Sequence, residues 1–196
     1  MTKAEQTKDL IVSRSLPIFN TKGYHATSLS DITKATGITK GAIYGNFKNK
    51  DEVATAAFEK GSMIVLNQIA EKVRSQPTAP LKLKAVVNYY AEYVKNPPIK
   101  GGCPILNTSV EADDNHPLLR AKVIHSIAKI KEGISKMIYR GIKEGQLKKD
   151  VFVEQFAAFF YATIEGGIVM ARAEGSGDSY KFIQDQLNKM IDEITL

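Results

Sequence analysis

Apolar residues recur at helical intervals along the chain, and the alternation typical of strands is nearly absent. Leu10, Ile11, Ile18 and Phe19 repeat two turns apart and predict a first helix from about residue 3 to 22, which Gly23 ends. Comparable patterns and end signals predict eight more helices, at about 28–36, 40–47, 50–75, 81–95, 104–114, 117–145, 151–174 and from 179 to the C-terminus. The pattern therefore predicts an all-α fold of about nine helices.

Helix length changes along the chain. Near the N-terminus, Thr27 or Ser28 can cap a second helix that Gly37 ends, and Thr39 can cap a third. From residue 50 onward the predicted helices form a larger bundle. We therefore predict an N-terminal three-helix domain over residues 1–49 and a larger C-terminal helical domain over residues 50–196.

Positive charge is concentrated in the first quarter of the sequence. Residues 1–50 contain eight Lys/Arg and three acidic residues, a net charge of +5, whereas the other 146 residues have a net charge of +1. This asymmetry indicates a polyanion-binding module attached to a nearly neutral body. The alternative from charge alone is an ordinary solvated basic face.

Bulk composition is that of a globular protein. Of the 196 residues, 43% are hydrophobic and 24% are charged, and no apolar run approaches the roughly 18 residues of a membrane span. The N-terminal stretch "MTKAEQTKDL" lacks the features of a signal peptide. A single cysteine suits a reducing compartment, so we expect a cytoplasmic protein.

The second and third predicted helices have the spacing of a helix-turn-helix. Gly37 can take the tight turn at residues 36–39. Apolar residues suited to fill the corner between the helices are Leu29, Ile32, Ala35, Ile38, Ile43 and Phe47. The remaining face of the third helix is small and polar, with one tyrosine: Thr39, Lys40, Gly41, Ala42, Tyr44, Gly45 and Asn46. Such a face is typical of a helix that lies in the DNA major groove.

The run "TSLSDITKATGITKGAIYGNFKNKDEV" resembles the DNA-binding segment of the TetR family of bacterial transcription regulators. The similarity spans about residues 10–58. The matching positions are Phe19, Gly23, Thr27, Ile32, Gly37, Ile38, Gly41, Tyr44, Phe47 and Lys50. The resemblance implies a homodimeric repressor that a small molecule releases from a palindromic double-stranded DNA operator.

The resemblance assigns roles in DNA binding to nine residues. Gly41 would let the backbone approach the phosphates, and Tyr44 and Lys50 would contact phosphate oxygens. Direct base contacts would come chiefly from Thr39, Lys40 and Asn46, with Lys40 a candidate for guanine. Thr27 and Ser28, at a helix N-terminus, would add backbone N–H and hydroxyl contacts to phosphate. The full predicted set is Thr27, Ser28, Thr39, Lys40, Gly41, Tyr44, Asn46, Lys48 and Lys50. Gly45-Asn46 departs from the aromatic-histidine pair that is frequent in the family.

The resemblance also implies a ligand pocket and a dimer interface in the larger domain. Candidate pocket residues are Met63, Leu66, Tyr89, Tyr90, Tyr93, Cys103, Ile105, Phe159 and Tyr161, for which plain core packing is the alternative. The last two helices would form the dimer. Small residues there recur every four positions, at 158, 162 and 166 and again at 167 and 171, and would permit close helix approach. These residues could instead face the core of their own subunit.

Cys103 precedes Pro104 and would be the N-cap of the sixth helix. A helix N-terminus and the nearby Lys100 would favour the thiolate. The sequence resembles a subset of TetR-like regulators with Gly-Cys in this loop, some of which respond to electrophiles or oxidants. The alternative is a small residue packed beneath the loop.

Other functional classes find less support in the residues. An enzyme would have to pair Cys103 with His116 or His125, and no nucleophile signature surrounds the cysteine. Three scattered histidines and one cysteine make a poor metal site. We therefore predict a non-enzymatic regulator without cofactor or metal. A general, nucleoid-type DNA-binding protein is the stronger alternative, although its basic surface should extend beyond residue 50.

Overall fold

The computed structural model describes residues 2–196, except for the side chains of residues 113–115. Over this part the chain forms nine α-helices: α1 Lys3–Lys22, α2 Leu29–Thr36, α3 Lys40–Tyr44, α4 Lys50–Arg74, α5 Ala79–Lys95, α6 Pro104–Asn115, α7 Pro117–Lys143, α8 Val153–Glu174 and α9 Asp178–Glu193. The β-pairing described is one isolated antiparallel bridge between Leu147 and Thr195. The prediction of an all-α fold of about nine helices is confirmed.

Most helix ends lie within two residues of their predicted positions, but α3 is shorter than predicted. It ends at Tyr44, and the chain continues in a turn in which the N–H groups of Asn46 and Phe47 both donate to the carbonyl oxygen of Ile43 at 3.0 Å. Phe47 is buried by this turn. The apolar residue that predicted a longer helix therefore belongs to the turn that closes it.

The chain divides into two compact units. The first comprises the chain up to Val65 together with Pro98–Ser126, and the second comprises Leu66–Pro97 and Ile127–Leu196. Residues 98–126, which we assigned to the regulatory domain, therefore pack in the same unit as the helix-turn-helix. The functional division at residue 50 stays a prediction.

In the first unit, α1, α2 and α3 pack around a small apolar core. Ile11, Ile32 and Ile43 are fully buried, one from each helix. Gly37 ends α2 in the left-handed conformation, with a φ of 71°, which a glycine adopts without steric cost. Ser28 is the N-cap of α2, and Thr39 accepts the N–H of Ala42 at 3.3 Å to cap α3. Local capping and a shared core thus set the geometry of the helix-turn-helix.

The loop before α6 joins α1 through two asparagines. The side-chain amide of Asn20 donates to the carbonyl oxygens of Lys100 and Gly102 at 2.9 and 2.7 Å. The amide of Asn107 donates to the backbone and side-chain oxygens of Asn20, both at 3.0 Å. Gly101 has a φ of +95°, and a Cβ there would lie 2.6 Å from the Asn20 carbonyl oxygen. This contact therefore requires glycine at position 101.

In the second unit, α5, α8 and α9 pack against one another. Their buried side chains include Leu83, Val87, Tyr90, Phe160, Ile164, Tyr180, Leu187 and Ile191. The Tyr180 hydroxyl donates to the carbonyl oxygen of Val87 at 3.4 Å, and burial, followed by the charge of Glu165, raises the pKa of Tyr180. Tyr180 therefore stays a neutral part of the core.

Among the described helices, only α8 is long and apolar enough to cross a membrane by length and composition. Within the most apolar 18-residue window of α8, 39% of the residues are buried in the fold. Its buried face packs against α5 and α9, so core packing accounts for part of this apolar character.

Candidate DNA-binding surface and regulatory region

The N-terminal part of α3 presents a solvent-exposed face. Thr39, Lys40, Gly41 and Ala42 are exposed, and Tyr44 is 45% exposed although it is a large aromatic residue. The Lys40 ammonium lies 5.9 Å from the centroid of the Tyr44 ring. Ile43, on the opposite face, is fully buried and anchors the helix. The face predicted to enter the major groove is thus anchored from its buried side by Ile43 and is open to a partner.

Gly41 has no structural requirement within the chain. A Cβ built on Gly41 would meet no heavy atom within 4 Å, and Gly41 is not among the glycines with positive φ. Glycine in a helix interior costs about 1 kcal/mol relative to alanine, so the fold by itself would favour a larger residue here. This position is therefore consistent with a partner whose backbone approaches α3 closely.

The Lys50 ammonium is bound within the chain, whereas we predicted that it would contact a DNA phosphate. Its ammonium donates to the carbonyl oxygens of Tyr24 and Thr27 at 2.9 and 3.0 Å and lies 4.1 Å from the centroid of the Tyr24 ring. Two carbonyl acceptors and an aromatic face hold the ammonium in the α1–α2 loop. This corrects the expectation that the Lys50 ammonium is free to reach a phosphate.

Thr27 also has a structural role. Its side chain is fully buried, and its hydroxyl donates to the carbonyl oxygen of Gly23 at 2.6 Å. Its backbone N–H donates to the Tyr24 carbonyl oxygen at 3.3 Å. Neither donor of Thr27 is available at the surface, which corrects the predicted phosphate contact.

Ser28 is exposed, but its donors are occupied by Asp31. Its backbone N–H and its hydroxyl donate to Asp31 Oδ2 at 2.9 and 2.7 Å, and Asp31 N–H donates back to the hydroxyl. The Lys22 ammonium lies 2.7 Å from Asp31 Oδ1 and, with Ser28, holds the pKa of Asp31 well below its usual range. A phosphate contact from Ser28 would therefore compete with this capping box.

The other two predicted DNA-binding residues differ in their freedom. The Lys48 side chain is 88% exposed, and its ammonium is 3.9 Å from Glu52 Oε1. Asn46 is half-buried and donates its side-chain amide to the Ala42 carbonyl oxygen at 2.9 Å. Lys48 is thus free to reach a phosphate, whereas Asn46 would have to exchange a helix-terminal hydrogen bond for a base contact.

A polar cluster that we did not predict surrounds Tyr24. The Tyr24 hydroxyl donates to Asp51, and the ring meets that of His116 edge to face at a centroid distance of 4.4 Å. Burial, followed by the hydrogen bond to Asp51, raises the pKa of Tyr24 to about 12. His116 Nδ1 accepts the N–H of Leu119 at 3.2 Å, and its Nε2 lies 3.8 Å from Asp51. The cluster joins the α1–α2 loop to the first turn of α4 and to His116, the residue between α6 and α7.

Glu111 on α6 contacts the same loop. Its carboxylate accepts the backbone N–H groups of Tyr24 and His25 at 2.6 and 2.8 Å. These residues lie 87 and 86 positions away in the sequence, so no local pattern could have indicated the contact. Glu111 therefore helps to position the segment that leads into α2.

Comparison with known proteins agrees with this geometry. Residues 11–57 match the family model described as bacterial regulatory proteins, tetR family, and residues 79–187 match the one described as tetracyclin repressor-like, C-terminal domain. The TetR-family regulator from Cytophaga hutchinsonii is 34% identical, with a TM-score of 0.93, over 100% of this chain and 98% of that one. The chain belongs to the TetR family.

Two further relatives agree with this assignment. A TetR transcriptional regulator from Chloroflexus aurantiacus is 32% identical, with a TM-score of 0.95, over 100% of this chain and 98% of that one. The HTH-type transcriptional repressor DhaR of Mycobacterium sp. is 23% identical over 84% of this chain and 81% of its own length. TetR-family regulators bind operator DNA and small-molecule ligands and dimerise. This chain is accordingly a ligand-responsive, DNA-binding transcription regulator.

Five of the nine predicted ligand-binding residues of this TetR-family protein lie in the second unit, and they are buried or half-buried there. Tyr89, Tyr90 and Tyr93 form a group of ring contacts on α5, with centroids 5.1 to 5.9 Å apart. The Tyr89 hydroxyl also donates to Gln68 at 3.1 Å. Tyr161 is 5% exposed, and Leu66 is half-buried and lines a cavity. These residues can line an interior site, and their role in ligand binding stays a prediction.

Two predicted pocket residues lie at the surface instead. Met63 is 60% exposed and Phe159 is 59% exposed, whereas the next residue, Phe160, is fully buried. Phe159 lines an open groove beside Phe152 and Met190. Core packing, the alternative for these two residues, is therefore wrong for both, because the buried stripes of α4 and α8 run through other positions. Their role in ligand binding stays a prediction.

The other two, Ile105 and Cys103, belong to the first unit. Ile105 is 1% exposed and Cys103 is fully buried. Cys103 is the N-cap residue of α6, as predicted, but its side chain makes no capping hydrogen bond. Full burial limits the access of an electrophile to the thiol, so the position favours the packing alternative over a sensor.

The two rows of small residues on α8 face in different directions. Gly166 and Ala162 are exposed, and a Cβ on Gly166 would meet no heavy atom within 4 Å. Gly167 is buried, and a Cβ there would lie 3.0 Å from the Tyr180 ring. Ala171 is also buried. One row therefore packs in the subunit's own core, and the other is left on the surface.

Among the described residues, no group of three or more His, Cys, Asp or Glu side chains could hold a metal ion.

Proposed function

We propose that this TetR-family protein is a cytoplasmic repressor that binds a pseudo-palindromic operator as a homodimer and is released by a small molecule bound in its larger domain. The observation that carries the proposal is the exposed face of α3. Lys40 and Tyr44 project from this face. Gly41 adds no side chain to it, although the fold does not require glycine there. The description of the relative DhaR as a repressor supports the direction of regulation.

Base and phosphate contacts divide between different residues in this proposal. Thr39 and Lys40 occupy the N-terminal end of α3, where residues of a recognition helix reach base edges. Tyr44 and Lys48 are exposed farther along and would contact phosphates. Lys50 and Thr27 act indirectly, since they hold the α1–α2 loop that leads to the N-terminus of α2.

The exposed row on α8 supports a dimer through the last two helices. Ala162 and Gly166 form a low surface that permits close approach of a second helix. Large apolar side chains lie exposed on the same two helices, including Phe159 at 59% and Phe182 at 73%. Exposed apolar surface of this kind marks association sites, and the same row on two copies gives a two-fold interface.

A general DNA-binding protein is the alternative, and selection from random DNA distinguishes the two. The protein is equilibrated with a library of random duplexes in about 150 mM salt, and bound molecules are recovered over several rounds and sequenced. A regulator enriches one inverted repeat whose half-site centres lie about one helical turn, or a multiple, apart. Recovery of DNA without any enriched sequence would support the general DNA-binding protein instead.

A further inference from the structure

Two cavities in the second unit share part of their walls. The first has a volume of about 240 Å³ and lies among α4, α5 and α7. The second has a volume of about 500 Å³ and extends toward the C-terminal ends of α4 and α7. Ala70, Val73 and Met137 line both, so the two cavities are neighbours, and we call them together the α4–α7 groove.

The smaller part of the α4–α7 groove is apolar. Beyond the shared residues, its walls include Leu66, Ile69, Val86, Ile130 and Ile134. Gly133 also lines it, and a Cβ on Gly133 would meet no heavy atom within 4 Å. A volume of 240 Å³ equals that of about eight waters at roughly 30 Å³ each. An alkyl chain of about eight carbons would fill a comparable space.

The larger part of the groove is strongly cationic. Arg74, Lys82, Lys136 and Arg140 line it together with a single acid, Glu144. Arg140 pairs with Glu144 at 2.7 Å, and Lys136 pairs with Glu132 at 2.6 Å. Arg140 and, more weakly, Lys82 hold the pKa of Glu144 below its ordinary value.

Two of these cations form no direct ion pair with an acid among the described residues, although Lys82 lies near enough to Glu144 to lower its pKa. Among the described residues, none forms an ion pair with Arg74 or Lys82. Arg74 is exposed at the last turn of α4, and Lys82 is half-buried in the first turn of α5. Their charges are therefore available to an anion at the mouth of the apolar cavity. A guanidinium beside an ammonium suits a phosphate group, because guanidinium binds phosphate through two parallel hydrogen bonds.

We propose that the α4–α7 groove binds an anionic amphiphile, with an alkyl or acyl chain in the apolar cavity and a phosphate-bearing headgroup at Arg74 and Lys82. This inference rests on the proposed function, since it names the class of inducer that the regulator responds to. The apolar walls favour burial of the chain, and the cations exclude a positively charged headgroup. The groove is lined by residues 66–74 of α4, the helix that begins at Lys50 beside the α1–α2 loop.

Calorimetric titration of the full-length protein with octyl phosphate, below its critical micelle concentration, tests the site. We expect saturable binding of one molecule per chain, with at least tenfold weaker binding of octan-1-ol and of inorganic phosphate. Octyltrimethylammonium should not bind. Equal affinity for the phosphate and the ammonium probe would overturn the proposal, as would the absence of octyl phosphate binding.

Variants separate the two parts of the groove. The double substitution Arg74→Gln with Lys82→Gln should weaken the binding of octyl phosphate at least tenfold and leave the binding of octan-1-ol unchanged. Gly133→Leu should weaken both, because the new side chain enters open space in the apolar cavity, and its thermal unfolding should show an intact fold. Lys149→Gln with Lys95→Gln removes the same charge from exposed positions elsewhere and should bind like the wild type. Loss of binding in this control, or normal binding by Gly133→Leu, would contradict the assignment.

Two further measurements separate this inference from the proposed function and from a lipid surface. Octyl phosphate should release the wild-type protein from its selected operator, and the Arg74/Lys82 double variant should resist release. If octyl phosphate binds without release, the groove is not the inducer site, although operator binding stands. Cosedimentation with phosphatidylglycerol vesicles that depends on Arg74 and Lys82 would instead assign the cations to a membrane surface.

Discussion

The ammonium group of Lys50 lies 4.1 Å from the centroid of the Tyr24 ring and donates a hydrogen bond of 2.9 Å to the carbonyl oxygen of the same residue. A second bond to Thr27 completes its environment. Lys50 thereby fixes the loop that precedes α2. Its neighbour Lys48 is 88% exposed, so two lysines close in sequence have different physical roles.

Substitution of each lysine by alanine should separate these roles. Lys50→Ala removes charged hydrogen bonds worth about 1.5–3 kcal/mol each and should lower the free energy of unfolding. It should leave the salt slope of DNA binding unchanged. Lys48→Ala should leave stability unchanged and reduce the salt slope by about one, as loss of a phosphate contact does. Chemical denaturation and fluorescence anisotropy at several salt concentrations measure both quantities. A salt slope reduced by Lys50→Ala would restore its predicted phosphate contact.

Gly41→Ala should stabilise the free protein and weaken its binding to DNA. Removal of a helical glycine should raise the free energy of unfolding by up to about 1 kcal/mol, because the added Cβ enters open space. The same methyl group would hold the α3 backbone away from the duplex. The matched control is Gly133→Ala in α7, which has similar space and should stabilise the protein without affecting DNA binding measured in the absence of an inducer. Undiminished operator affinity in Gly41→Ala would remove the functional explanation for this glycine.

Gly23 and Glu111 should be energetically coupled. Gly23 has φ 83° and ψ 169°, a region that is essentially confined to glycine, and its Cβ would lie 2.7 Å from both carboxylate oxygens of Glu111. Gly23→Ala should therefore destabilise the protein by about 1–3 kcal/mol from backbone strain, with a further cost from the clash. Glu111→Ala leaves two N–H groups without their acceptor and should also destabilise it.

The double variant isolates the clash between these residues. Because Glu111→Ala removes the carboxylate that the new Cβ would meet, the double variant should lose less stability than the sum of the single variants. Urea denaturation of the four proteins in the cycle gives the coupling energy. Additive losses would show that the Glu111 carboxylate moves away at no cost and does not hold the loop.

The exposed row on α8 should control dimerisation. Ala162→Glu places a carboxylate on this row and should convert the dimer to a monomer, because an interface would bury the charge without a partner. Ala128→Glu is the matched change on an exposed position of α7 and should leave the dimer intact. Sedimentation velocity at micromolar concentration distinguishes the two states. A dimer that persists in Ala162→Glu would place the interface elsewhere.

Local patterns predicted the helices and the helix-turn-helix because their signals lie close together in the sequence. Ser28 and Gly37, the cap and the end of α2, directly flank the helix that they define. Side-chain direction was harder to predict. The flexible Lys50 side chain can reach either solvent or the loop carbonyls. Its position in the sequence relative to the helix-turn-helix is the same in both cases.

Contacts between distant residues left no pattern to recognise. The N–H groups of Tyr24 and His25 donate to Glu111, which lies 87 and 86 residues away in the sequence. On α8, the choice between Phe159 and Phe160 depended on a shift of one residue, which turns a helix face by about 100°. Phe160 lies on the buried face of α8, against which α5 and α9 pack.

Hydroxyl-radical footprinting on the selected duplex shows whether two α3 helices of one dimer bind a single operator. We expect two protected patches on one face of the DNA, related by the two-fold axis of the inverted repeat and about one helical turn, or a multiple, apart. Protection should disappear from both patches together in Ala162→Glu. A single patch, or uniform protection along the duplex, would show that the two α3 helices of a dimer do not bind one operator together.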